Sequence, residues 1–463
     1  MIVDRYQGAH TADKAAVACF EGAVRAVAAH RPEAATALAD ALAADPDMIA
    51  AHALRGFSAV MLARHSHAVS AAEALARARA ASALRGGTSG ERALVEALGH
   101  AVRGGYRAAA DRLETHLDDS PRDLLAFKLS HALRFMSGDR TGMLAASTRF
   151  ERRWSAATPG FGFVLGCHAF AIEETGDYAT AERLGRRAVE IEPDDAWGIH
   201  AVSHVHEMSG RLGDGVTWLE SCRATWSGCS NFAFHVAWHL GLFHLEAGRL
   251  DAALELYDRE IRPTASEEFR DTANAVSFLW RLRQEGVDGG DRWRELADIA
   301  RRHRRDTTLV FASLHYLLAL LAAGDLSSAR DVALALRSRA GAVHGGKAHG
   351  GAVHGGTVPG DQSRVAAAVG ADLAQVLLGL GGAARADLPR LVRSLPGIGG
   401  SNAQRDVFLR SLALISADHG DDQAVRVILA ARQRLQRDDR FGQLAAAHLE
   451  TALGASQPAL CVA

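Results

Sequence analysis

The sequence predicts an all-α protein, a right-handed superhelix of stacked antiparallel helical hairpins, and three observations predict it. Proline contributes only 10 of 463 residues while alanine is abundant, so helix is the default state of most segments. The alternation of β-branched and aromatic residues that marks strands is almost absent. A glycine-centred spacing also recurs along the chain at the period of a helical hairpin.

The repeat is clearest in residues 163–193, 197–222 and 235–263. Each places a glycine, Gly176, Gly210 or Gly248, between two amphipathic runs. Two residues later comes a packing residue (Tyr178, Leu212, Leu250), and five residues later a small one (Ala181, Gly215, Ala253). Pro193 and Pro263 close the second helices. The glycine takes the tight turn, and the small residue lets the two helices approach closely. A lone hairpin buries only one side of each helix, so neighbours must stack to complete a core, as tetratricopeptide-like (TPR-like) arrays do. Gly138-Asp139, Gly324-Asp325 and Gly420 repeat the pattern more loosely. The first 120 residues read as helices broken at Asp45-Pro46-Asp47 and Asp119-Ser120-Pro121. About seven hairpins are expected, with residues 1–340 as the array and 363–463 continuing it. Between them, 341–362 reads as a flexible linker, because GAVHGGKAHGGAVHGGTVPG is too glycine-dense for helix. Its His344, His349 and His354 read as a solvated loop rather than a weak site for a divalent ion.

Bulk properties exclude several classes of function. A formal net charge of −2 and a pI near 6.9 provide no basic field for nucleic acid or anionic membrane. The five cysteines (Cys19, Cys167, Cys222, Cys229, Cys461) are odd in number and form no C-x-x-C pair, which points to a reducing compartment. The N-terminus lacks a basic stretch followed by an apolar run, and no window approaches about 18 uninterrupted apolar residues. A cytoplasmic protein without a membrane span is expected.

The turn glycines set the helical register. In such arrays the first helix of each hairpin lines the concave face, and residues 13, 10, 6 and 3 before the glycine share one side of it. Before Gly210 that stripe is Trp197, His200, His204 and Glu207; before Gly248 it is His235, Trp238, Leu242 and Leu245, with His239 at its edge. Before Gly176 it holds Phe163, Phe170 and Glu173. His206 and His244 stand four before their glycines, where a packing side chain belongs, and His168 also reads as packing. His200/His204 and His235/His239 are i,i+4 pairs, the spacing with which helices present two ring nitrogens to zinc. Glu207 can serve as a third ligand, as a partner that orients a ligand, or as a general base. Three readings of the histidines stay open: a divalent metal site, a polar acid–base pocket between Trp197 and Trp238, and histidines satisfied by one another. Trp280 and Arg283 occupy the corresponding positions before Gly286. Near the C-terminus Ser401 or Asn402 can cap a helix whose first turn holds Gln404, Arg405 and Asp406. That turn is either an ordinary cap or an anion clamp made of free amides and Arg405.

The stretches DAWGIHAVSHVHEMSGRLGDG, FHVAWHLGLFHLEAGRLDAALELYD and GGSNAQRDVF resemble the tetratricopeptide repeat protein 38 family over nearly the whole chain. The resemblance implies roles for His200, His204, His206, His235, His239, Glu207 and Ser401 to Asp406, and extends to His131, His315 and Arg305-Asp306. It leaves out His244 and the 341–360 segment, and it carries no established activity. Two functions follow. In the first, the superhelix encloses a small-molecule or metal site centred on His200, His204, Glu207, His235 and His239 and supported by Trp197, Trp238 and Arg405. If it is catalytic, hydrolytic or lyase-type acid–base chemistry fits, since no nucleotide loop or covalent-nucleophile motif is visible. In the second, the protein is an adaptor holding a peptide or protein partner in its groove.

Overall fold

Where Gly-Asp separates two helical runs, the chain forms one local structure. Gly138, Gly176, Gly324 and Gly420 take φ of +64°, +93°, +73° and +70°, a conformation that glycine reaches without steric cost. The following Asp caps the next helix: Asp139, Asp177, Asp325 and Asp421 accept from the amides of Gly142, Thr180, Ser328 and Ala424. The amides of Asp139, Asp325 and Asp421 also bond the carbonyls of Arg134, Leu320 and Ser416, each at 2.9 Å. One dipeptide therefore ends one helix and starts its antiparallel partner.

The computed structural model describes residues 1–344, 360–379, 387–436 and 439–445. The protein is all-α, with 75% helix and a single two-stranded pair, Ile2–Val3 with Ala9–His10. The helices pair in sequence. The first pairs are α1 (Lys14–Ala28) with α2 (Ala34–Ala44), α3 (Ile49–Met61) with α4 (Ala68–Arg85), and α5 (Ser89–Val102) with α6 (Tyr106–Asp119). Next come α7 (Leu124–Met136) with α8 (Arg140–Glu151), α9 (Phe161–Glu173) with α10 (Tyr178–Ile191), and α11 (Ala196–Met208) with α12 (Leu212–Ser221). After the single turn α13 (Arg223–Trp226) follow α14 (Phe232–Glu246) with α15 (Leu250–Leu256), α16 (Phe269–Gln284) with α17 (Arg292–His303), and α18 (Val310–Ala322) with α19 (Leu326–Gly341). Short helices α20 (Asp361–Val365), α21 (Ala371–Leu377) and α22 (Leu388–Ser394) lead to the pair α23 (Asn402–Asp418) and α24 (Asp422–Gln433). First helices also contact first helices of neighbouring pairs, α9 with α11, α11 with α14, α14 with α16 and α16 with α18.

Ten such pairs lie among the described residues, more than the seven expected. The extra ones fall in the first 120 residues, where His30 (φ 58°) and Ala63 (φ 47°) take the left-handed conformation themselves. A reading keyed to glycine passes over those turns. At the edges of the 341–362 segment, Gly341 still ends α19, Ala342–His344 makes a 3-10 turn, and Asp361 opens α20. His349 and His354 lie outside the described residues. No helix among the described residues is long and apolar enough to cross a membrane.

The array closes on itself. Arg25 of α1 reaches Glu192 and Asp194 (3.2 and 2.7 Å), and the Ser230 amide donates to the His30 carbonyl at 2.8 Å. The His65 amide donates to Asp306 (2.9 Å), and Asp361 bonds both the Gly104 carbonyl and the Arg107 amide. On the other side, α23 touches α11 and α16. Residues of α7, α11, α14 and α16 thereby come to line one common cavity.

Candidate metal centre and adjoining cavity

Spacing of i,i+4 puts His200 and His204 on one face of α11 and His235 and His239 on one face of α14, and the two helices bring those faces together. His200, His204 and His239 are buried and His235 is half-buried. The candidate ligand atoms of the four rings all lie within 4.8 Å of one another. His200 Nε2 stands 2.9 Å from His204 Nε2 and 3.0 Å from His235 Nε2.

The opposite nitrogens are held by neighbouring helices. His239 Nδ1 lies 2.8 Å from Glu207 Oε2, and His235 Nδ1 lies 3.0 Å from the Oδ1 of Asn274 on α16. His204 Nδ1 faces Glu173 Oε2 of α9 at 3.4 Å. A ring that donates its Nδ1 proton to such an acceptor must present a bare lone pair at Nε2. Glu207 and Asn274 therefore leave the Nε2 lone pairs of His239 and His235 facing the cluster. His200 Nε2 cannot make well-aligned hydrogen bonds to two other ring nitrogens at once, and His239 Nε2 and His200 Nδ1 have no hydrogen-bond partner among the described residues.

The electrostatics agree with neutral imidazoles. Burial lowers His235 to about 3 and pushes His200 and His239 well below the usual histidine value, with the neighbouring rings adding to the effect. His204 is the exception: against burial, the facing Glu173 holds it above the usual value. Burial raises Glu207 to about 8, a push that a cation on His239 would oppose. Three of the four rings are thus kept neutral, the state in which imidazole binds a metal. A divalent ion fits this donor set with small adjustments, because four ligands at about 2.05 Å in tetrahedral array stand about 3.3 Å apart, against 2.9 and 3.0 Å for two of the pairs and no more than 4.8 Å for any. An all-imidazole set suits zinc, iron, copper or nickel rather than magnesium or calcium.

Beside the centre lies a cavity of about 180 Å³. His200 and His235 form part of its wall, while His204 and His239 lie behind them. Aromatic rings supply much of the rest, among them Phe135, Trp197, Phe232 and Phe311. Trp197 sits between the two regions, with its ring centroid 4.9 Å from that of His200 and 5.9 Å from that of His131.

The other residues singled out in the sequence are spread more widely. Trp238 is fully buried and stacks on His235 (5.4 Å, 16°) behind the cavity wall. Trp280 is half-buried and donates to Ser411 Oγ at 2.9 Å. Arg283 corrects the register: it is exposed and donates to the Ala322 carbonyl at 3.3 Å, because the last turn of α16 projects toward α18. The buried cation here is Arg281, which covers Trp238 (5.4 Å) and donates to the Ala403 carbonyl. His206 is buried, with Nε2 3.4 Å from Arg186. His244 is half-buried and accepts from Arg249, and His168 pairs with Ser147 Oγ.

At the start of α23, Ser401 and Gln404 form a reciprocal capping box, and Gln404 also borders the cavity. The anion clamp expected there holds the protein's own carboxylate. The Asn402 amide (2.6 Å) and Arg405 (2.8 Å) both bind Glu174. Asp406 turns away to Arg410 and Arg432. Asn402, Arg405 and Asp406 do not border the cavity.

Lys128 and His30 were not singled out by the sequence, although both border the cavity. The register rule would have found Lys128, which stands ten before Gly138 as His200 stands ten before Gly210. His30 carries no such signal, because its turn has no glycine.

No family model matches the chain.

Proposed function

We propose that the protein is a TPR-like right-handed superhelix that binds a divalent transition metal through His200, His204, His235 and His239 and uses it on a small molecule held in the adjoining cavity. The observation that carries this reading is the convergence of imidazole nitrogens whose opposite nitrogens face Glu173, Glu207 and Asn274. Histidine ligands are oriented by such partners in metal proteins. When bound, the metal would supply a Lewis acid or an activated water. The chain's own residues hold the ligands, keep three of them neutral and wall the site with aromatic rings. The peptide-adaptor reading has less support, because a cavity of about 180 Å³ is too small for an extended peptide. The resemblance to the tetratricopeptide repeat protein 38 family is in keeping with the proposal and names no reaction.

Elemental analysis of protein purified without a histidine tag tests it. About one equivalent of zinc, iron, copper or nickel per chain is expected, and a His200→Ala/His235→Ala double variant should lose it. A wild-type protein that neither carries such a metal nor takes one up on incubation contradicts the proposal.

A further inference from the structure

The cavity has a second polar feature, away from the histidine cluster. Helix α7 lines it with Lys128, His131, Ala132, Phe135 and Met136, the i, i+3, i+4, i+7, i+8 stripe of one helix face. Lys128 Nζ lies 5.8 Å from the centre of the Trp197 ring, and its one hydrogen-bond partner among the described residues is Cys167 Sγ at 3.5 Å. No carboxylate is in ion-pair contact with it among the described residues. The buried Asp195 acts on it only through space. Arg270, the other cation on the wall, is already paired with Glu268 at 2.9 Å.

Around Lys128 stand buried polar atoms that nothing in the described protein satisfies. His131 is 7% exposed, yet neither ring nitrogen has a hydrogen-bond partner. Trp197 Nε1 and His30 Nε2 are also without one. Buried polar groups are ordinarily hydrogen-bonded, and a tryptophan N–H can only donate. Lys128 brings the positive charge to this corner of the cavity, and the indole of Trp197 and the rings of His131 and His30 stand around it with their unpartnered nitrogens covered rather than open to the cavity. The remaining wall, with Phe232, Phe269, Leu309, Phe311 and Ile398, is apolar. A cavity of about 150 Å³ accommodates benzene, so 180 Å³ suits a body of that size.

We infer that the cavity takes a small monocarboxylate with an apolar body, its carboxylate on Lys128 and its far end toward His200 and His235. This inference rests on the reading of the cavity as the working site of the metal centre. Lys128 acts as an anchor that sets specificity; the metal does not hold the carboxylate.

Calorimetric titration of the full-length protein, as purified and metal-loaded, with phenylacetate and its neutral isostere phenylacetamide tests the inference. Metal content is measured on the same samples. Phenylacetate should bind at least about tenfold more tightly than phenylacetamide, since a hydrogen bond to a charged group contributes about 1.5–3 kcal/mol. Lys128→Met should remove that preference while metal content and melting temperature stay as in wild type, and Lys128→Arg should restore part of it. Equal affinity for the two compounds in wild type overturns the inference, as does absence of phenylacetate binding. Phenylacetate affinity that ignores Lys128 and disappears when the metal is chelated also overturns it. If the protein carries no metal but binds phenylacetate through Lys128, the carboxylate site stands and the metal reading falls.

Discussion

At the scale of single residues, the site depends on which ring nitrogen of each histidine carries a proton. Glu207 and Asn274 fix that choice for His239 and His235 by hydrogen-bonding Nδ1. Glu207→Gln removes the charge that compensates a cation, and metal affinity should fall about 10- to 100-fold, read by competition with a chromophoric chelator. Unchanged affinity would place Glu207 outside the centre. Asp195 tests the electrostatics away from the ligands. Its folded value is about 7 against about 3.9 unfolded, so between those values the folded state binds more protons. Stability contributed by this group therefore falls as pH rises from about 4 to about 7. Asp195→Asn should be progressively more stable than wild type over that range, by up to roughly 4 kcal/mol above pH 7. Parallel melting-temperature profiles from pH 5 to 8 check this; a variant with no pH-dependent gain contradicts it.

The inward-facing residues His200, His204 and His235 were legible because the turn glycine fixes helix phase. His239, placed at the edge of the stripe, is in fact fully buried in the cluster. The 3-4-3 rule describes an ideal row, whereas the packing of α14 on α11 brings an adjacent position inward. The outer partner Asn274 was not legible, because its role arises from α16 docking on α14 rather than from anything near it in sequence.

At the scale of elements, the small residue five after each turn glycine does what its spacing suggests. Ala181, Gly215 and Ala253 are all buried, and a Cβ on Gly215 would overlap the ring of Phe243. Gly215→Ala should lower stability by about 1–3 kcal/mol, seen as a lower apparent melting temperature; no loss would mean that α12 can move away from α14. The start of α23 shows the limit of local reading. A capping box was recognisable from Ser401 and Gln404, but Glu174, which takes up the neighbouring amide and Arg405, comes from the end of α9. Asp406 likewise serves the C-terminal pair, accepting from Arg410 at 3.0 Å and from Arg432 at 2.6 and 3.0 Å. Those cations hold its carboxyl well below the usual range despite burial. Asp406→Asn leaves two buried guanidinium groups undercompensated and should cost about 3–5 kcal/mol, measurable as a shift in the urea midpoint with little effect on metal content.

At the scale of the whole molecule, long-range contacts bring distant helix pairs around one cavity. Sequence periodicity established the helices and their pairing; it did not show that α1 returns to the loops after α10 and α13, because those ion pairs join residues more than 160 positions apart. Those contacts narrow the interior to a partly open cavity beside the four histidines on α11 and α14. A metal there links two helices and binds only the folded chain, so chelation should lower the melting temperature in proportion to the binding free energy lost. The most direct test of the central claim is X-ray absorption at the metal edge of the loaded protein. The account predicts a shell of about four nitrogen ligands near 2.0–2.1 Å with the outer-ring scattering of imidazole. A shell dominated by sulfur, or by oxygen without imidazole scattering, would contradict it.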